Sequence, residues 1–185
     1  MRTKQKVTVL VEQGLARDRA EAHRDARALA IEFARGVTSA RFDPMRAGVV
    51  LRPGEIVYRQ VPLWIRVQQD GHWADPASAD VIVTDVRLLC RLASGRLTSL
   101  WWHGVVGLQV DLVAEHIVLD FGDGQPVCLS GAQVAPVSVS AIASIYGVQA
   151  LVGHPALAPL RKRAPGVAVN GSLLRPSVRP QPGHR

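Results

Sequence analysis

Residues 57–71 read VYRQVPLWIRVQQDG, and this stretch decides the fold. Val57, Val61, Leu63, Ile65 and Val67 alternate with Tyr58, Gln60, Pro62, Trp64 and Arg66, the period of two expected of a strand with one buried face. Pro62 has no N–H for a ladder, which places it on an edge or at a bulge. Asp70-Gly71 closes the stretch with a dipeptide suited to the positive φ angles of a tight hairpin turn. Two more such signals follow, Ser94-Gly95 and Asp123-Gly124. The strands expected between them cover residues 80–91, 96–102, 104–112, 115–121 and 125–129. Turn dipeptides separated by short strands indicate an antiparallel meander rather than βαβ units.

Helical patterns flank the meander. Asp18-Arg-Ala-Glu21 fits a capping box, and Leu15, Ala22, Ala26, Leu29 and Phe33 recur at helical spacing, with Gly36 as a C-terminal cap. Asp43-Pro44 and Gly48 read as a linker. After Ser130-Gly131, Pro136 suits a first helical turn, and Val137, Ala141, Ile142, Ile145 and Tyr146 make an apolar face. The expected division is an N-terminal helical arm at 1–47, a β domain with its C-terminal helix at 48–153, and a basic, Pro/Gly-rich disordered tail at 154–185.

The order of about seven meandering strands and one final helix resembles a pleckstrin-homology-like barrel, an α+β fold that is mainly β. Leu51-Arg-Pro-Gly-Glu55, Val83-Thr-Asp-Val-Arg-Leu-Leu89, and Ser99-Leu-Trp-Trp102 before Leu108-Gln-Val-Asp-Leu112 carry the resemblance. They look like bacterial pleckstrin-homology or GRAM-like proteins and are similar to uncharacterised actinobacterial proteins, over residues 48–153. The resemblance implies a barrel plugged at one end by the helix, in a family with many partners and few enzymes. Lipid-binding members hold inositol phosphates with a lysine and two arginines near the first hairpin. Here Arg59 and Arg66, taken as sharing a face of the first strand, are followed by Asp70 and Asp75 with no lysine, which weighs against that ligand.

Charge narrows the partners. The chain of 185 residues carries +7, but residues 1–160 hold 16 Lys/Arg against 15 Asp/Glu, a net of +1. The rest of the excess lies after Leu160, so no basic face for specific nucleic acid is expected. Arg161, Lys162 and Arg163 are candidates for weak contact with an anionic membrane. No secretory signal is legible at the N-terminus, and Cys90 and Cys128 sit in apolar runs as buried thiols, the reading of a cytoplasmic chain. The uncharged residues 124–160 are interrupted by prolines and glutamines and read as a folded segment rather than a membrane span.

Trp101-Trp102-His103 is the most unusual local feature. Alternation puts one Trp inward; the other is either a partner-binding aromatic or is covered by the N-terminal helix through Leu29 and Phe33. With Arg59 and Arg66 these make the candidate partner-contact set. Asp85 and Arg87 share a parity and suggest a polar pair closing the sheet. His116 and Asp120 form only a weak metal pair, and Asp120-Phe-Gly122 lacks every other part of a kinase site. No nucleophile elbow, phosphate loop or dinucleotide fingerprint occurs. The expectation is a non-enzymatic module for a protein or peptide, without cofactor. An anionic-membrane module and a hydrolase or metal enzyme built around His103 and His116 are the alternatives.

Overall fold

The computed structural model describes residues 2–37 and 41–161, with side chains from Glu12 onward. A long helix, α1 (Arg2–Arg35), is followed by one helical turn, α2 (Pro44–Ala47). The strands are β1 (Val57–Gln69), β2 (His72–Trp73), β3 (Ala77–Thr84), β4 (Arg87–Leu92), β5 (Leu97–Trp101), β6 (Gly107–Asp111), β7 (His116–Asp120) and β8 (Val127–Ser130). Helices α3 (Val134–Tyr146), α4 (Ala150–Gly153) and α5 (Ala158–Arg161) close the described chain.

Every ladder is antiparallel, and the strand order is β5-β4-β3-β1-β8-β7-β6, with β2 a short spur on β1. The expected count, direction and final helix of a pleckstrin-homology-like fold are present. Closure into a barrel is not: β5 and β6 are the two open ends of the path. The cause lies at Trp102. A simple hairpin there would pair β5 with β6, but Trp102–Gly104 form a 3-10 turn and the Trp102 indole donates to the Thr84 carbonyl at 2.9 Å. The chain is thereby carried from one edge of the sheet to the other.

The inner face collects Val61, Leu63 and Ile65 of β1, Val81 and Val83 of β3, Leu88 and Cys90 of β4, and Ile117, Leu119, Val127 and Leu129 beyond. Helix α3 lies against this interior, touching β3, β7 and the Trp102 turn, with Val137, Ala141 and Ile142 fully buried. Pro136 stands in its first turn, as expected. Among the described residues no helix is long and apolar enough to cross a membrane.

Three readings of the sequence need correction. The capping box at Asp18 does not start a helix, because α1 already runs from Arg2 and passes through it. Residues 80–91 are not one strand but the β3–β4 hairpin. That turn has no glycine; the Thr84 hydroxyl accepts from the N–H groups of Val86 (3.2 Å) and Arg87 (3.0 Å), doing by side chain what Gly does by conformation. Residues 41–56 are more than a linker. Phe42, Ala47, Val49 and Leu51 pack on Val57, Ile82 and Leu89, a second small core on the outer face of β3 and β4.

The ordered chain also extends past residue 153. Leu157 and Leu160, inside the span 154–185 expected as a tail, are buried in the main core, and residues 162–185 of that span lie outside the described residues.

Candidate functional site

Which outer surface is free follows from what residues 41–56 cover. They occupy the β3–β4 side, and among the described residues no helix or loop core covers the β1–β8–β7–β6 side. On β1, Pro62, Trp64, Arg66 and Gln68 share this outward parity, and Trp64 is paired with Ser78 of β3 and Ser130 of β8. Trp64 is 51% exposed and Trp73, opposite Gln68, is 39% exposed. Between them the Arg66 guanidinium lies over the Trp73 ring at 5.8 Å, while Arg66 Nε is buried without a hydrogen-bond partner. The face continues through Cys128, Ser130, Val118 and His116 by cross-strand pairing. On this face two partly open aromatics flank one cation, the Arg66 guanidinium, which lies 4.0 Å from the sulfur of the buried Cys128.

The anticipated contact residues are distributed differently. Trp102 is buried, and its indole is satisfied by Thr84. Trp101 is half-buried on the opposite parity, and guanidinium groups cover it, Arg87 at 4.5 Å and Arg52 at 5.1 Å. The expected covering by α1 does not describe this site, since Leu29 joins the main core and Phe33 meets Tyr58 at 4.6 Å. His103 is exposed and stands 5.7 Å from Trp101.

Arg59 and Arg66 do not share a face. Their spacing of seven is odd, and beyond the bulge at Val57/Arg59 the strand is regular, so one side chain points in and the other out. Arg59 ties β1 to α1. It donates to Asp25 at 2.8 Å and to Glu32 at 2.9 Å, and these two pairings raise its pKa against the opposing effect of burial. Of the anticipated protein-contact set, Arg66 alone lies on the open tryptophan face.

The expected Asp85–Arg87 pair is also replaced. Arg87 donates to Glu55 from Nε and Nη2, both at 2.9 Å, and Asp85 instead accepts from the Ile56 N–H at 2.9 Å. The Glu55 side chain is fully buried. Burial alone would raise its pKa, but hydrogen bonds from Arg87, the Arg52 N–H and Thr84 outweigh it and hold the carboxyl below the usual range. The motifs around Glu55 and Thr84–Arg87 are therefore two halves of one internal clamp that fixes residues 41–56 on the sheet.

Comparison with known proteins adds likenesses of low degree. No family model matches the chain, and no curated protein matches it. Among solved structures it is similar to a Vps36 N-terminal PH domain, at 14% identity and a TM-score of 0.39, over 56% of this chain and 86% of that one. It is also similar to the C-terminal domain of an unknown protein from Leishmania infantum, at 11% identity and a TM-score of 0.36, over 51% and 86% respectively. The strand order, not these overlaps, carries the fold assignment.

Metal chemistry finds no cluster to use. Among the described residues no three His, Cys, Asp or Glu side chains come together to hold an ion. His116 pairs across the ladder with Asp111, and the Asp120 carboxylate accepts from the Gly122 N–H at a hairpin turn. Arg161 donates to the carbonyls of Val152 and His154 at the end of α4; Lys162 and Arg163 lie outside the described residues. The open aromatics of this face that the sequence reading does not single out are Trp64 and Trp73. The signal was available for Trp64, whose outward parity on β1 was already legible; nothing local marked Trp73.

Proposed function

We propose that this chain is a non-enzymatic cytoplasmic binding module whose partner is a protein or peptide, and that the partner sits on the Trp64–Arg66–Trp73 face. One observation carries the reading: two tryptophans stay partly open beside a cation on a sheet face that no described residue covers with a helix or loop core, while the other two tryptophans are engaged internally. Tryptophan and arginine dominate the energetics of protein interfaces because each removes a large area from water while keeping a directed polar group. The part of each ring still open to water adds nothing to the isolated fold, whereas covering it contributes on the order of 1–2 kcal/mol by area.

The test is a comparison of wild type with Trp64→Ala/Trp73→Ala. Both rings are partly open, and circular dichroism and melting of the double variant, together with the single Trp64→Ala, separate lost binding from lost stability. Proteins captured by the wild type are purified and titrated against both forms. A partner that binds the wild type and loses at least tenfold in affinity for the variant supports the proposal. Equal affinity for the two forms overturns it.

A further inference from the structure

Leu97-Thr-Ser-Leu-Trp101 contains no charge, proline or glycine, and it forms β5, one of the two open ends of the strand order. Its register with β4 runs unbroken from Leu97 to Trp101. Bonds at either end fix which main-chain groups that pairing uses. The Leu92 N–H donates to the Arg96 carbonyl at 2.9 Å, and the Trp102 N–H donates to the Val86 carbonyl at 3.1 Å. Hydrogen-bonded pairs recur at every second residue of an antiparallel ladder, so Thr98 and Leu100 also bond to β4. The N–H and C=O groups of Leu97, Ser99 and Trp101 therefore point away from β4, and among the described residues no further strand receives them.

Such a row of open main-chain groups is a template for another strand, and folds commonly guard it with a charge, a proline or a bulge. β6, at the other end, carries the Asp111 carboxylate; β5 carries none of these guards. Its rotation is fixed because Leu100 is buried in the main core. On the opposite, outer side Leu97 is 42% exposed, while Ser99 and Trp101 are half-buried. The outer row thus reads apolar, polar, apolar, the same from either end.

We infer that β5 pairs antiparallel with β5 of a second copy of this chain, about a two-fold axis beside Ser99. That register sets Ser99 against its own copy and Leu97 against Trp101 of the second copy, each pair exchanging both main-chain bonds. An indole then covers the exposed Leu97 side chain, the kind of cross-strand contact that stabilises neighbouring strands. Slipping by two residues in either direction takes Leu97 off Trp101 and forfeits main-chain bonds. A second copy fits this edge because the edge is its own complement and holds no charge that selects a partner of opposite sign. One short strand makes a small interface, so the dimer is weak and depends on concentration. β5 lies at the end of the order β5-β4-β3-β1, away from Trp64 on β1, and the dimer leaves the tryptophan face open.

Sedimentation equilibrium and amide hydrogen exchange of the full chain test this together. The wild type shifts from monomer to dimer mass as concentration rises, and exchange at Leu97, Ser99 and Trp101 slows at least tenfold. Thr98 and Leu100 change little, being bonded to β4 in both states. Ser99→Pro removes an N–H that β4 does not use and stays monomeric. Leu97→Lys, at an exposed side chain, weakens the dimer at least tenfold and carries the test should the proline lower the melting temperature. A wild type that is monomeric at every concentration overturns the inference. So does a dimer that Leu97→Lys leaves intact, or one whose protection appears on β6 instead of β5.

Discussion

Glu55 and Arg87 meet through two hydrogen bonds of 2.9 Å each, one from Nε to Oε1 and one from Nη2 to Oε2. Thr84 Oγ1 stands 2.8 Å from the same Oε1 and 2.9 Å from the Arg87 carbonyl, with one proton to share between them. Arg87 Nη2 also donates to the Val50 carbonyl at 2.9 Å. This cluster holds the segment ahead of β1 against the β3–β4 turn, and through it the covering of one outer face. Removing one partner strands a buried charge. Glu55→Ala is expected to cost about 3 kcal/mol, the usual penalty for breaking a buried pair. A double-mutant cycle of Glu55→Gln and Arg87→Met in urea denaturation should give strongly non-additive losses; additive losses would remove the clamp from the account.

The same carboxylate sets an acid limit. Glu55 has a lower pKa folded than unfolded, so the unfolded chain binds its proton more readily. Its contribution is fully present above the unfolded value of about 4.3 and is lost as pH falls through the lower folded value. Urea midpoints measured from pH 6 downward should fall more steeply for the wild type than for Glu55→Gln, and the two curves should converge in acid.

Arg59 is the corresponding tie for α1. Its side chain is largely buried between Asp25 and Glu32. Arg59→Ala should open residues 22–33 of α1 locally, costing about 1–3 kcal/mol for lost charge-assisted hydrogen bonds. Hydrogen exchange should quicken in that helix by tenfold or more while the amides of β3 and β4 keep their protection.

Cysteine reactivity reports on the interior. Cys90 is fully buried and desolvation pushes its thiol up to about 12. Cys128 is buried on the outer side of β8. Thiolate is the reactive form, so iodoacetamide at pH 8 should leave both unmodified in the native protein and modify both in denaturant. Rapid native labelling of Cys90 would mean that β4 is not where the register puts it.

The meander was legible because its turns obey backbone rules that act locally. Asp70 and Gly71 both take positive φ, and Gly95 and Gly124 do likewise at the other two expected turns. Turns made by side chains escaped notice, as at Thr84, since a hydroxyl satisfying two N–H groups leaves no compositional mark. Asp43-Pro44 and Gly48 read as a linker because the apolar residues around them have no period: Phe42, Val49 and Leu51 are brought together by one helical turn capped by Asp43, not by a strand or helix face. The site was half legible. Parity points Trp64 outward, whereas the fate of the Trp101-Trp102 pair depends on Thr84 at the end of β3 and Arg87 on the neighbouring β4. Period cannot report on such partners.

The central claim is that Trp64 and Trp73 are open for a partner while Trp102 belongs to the fold. Indole N–H exchange, followed by nitrogen-edited NMR with the purified partner absent and then present, tests it most directly. The account predicts a slowly exchanging Trp102, rapidly exchanging Trp64 and Trp73, and partner-induced protection confined to those two. Protection or shifts centred on Trp101 and His103, with Trp64 and Trp73 unchanged, would contradict it.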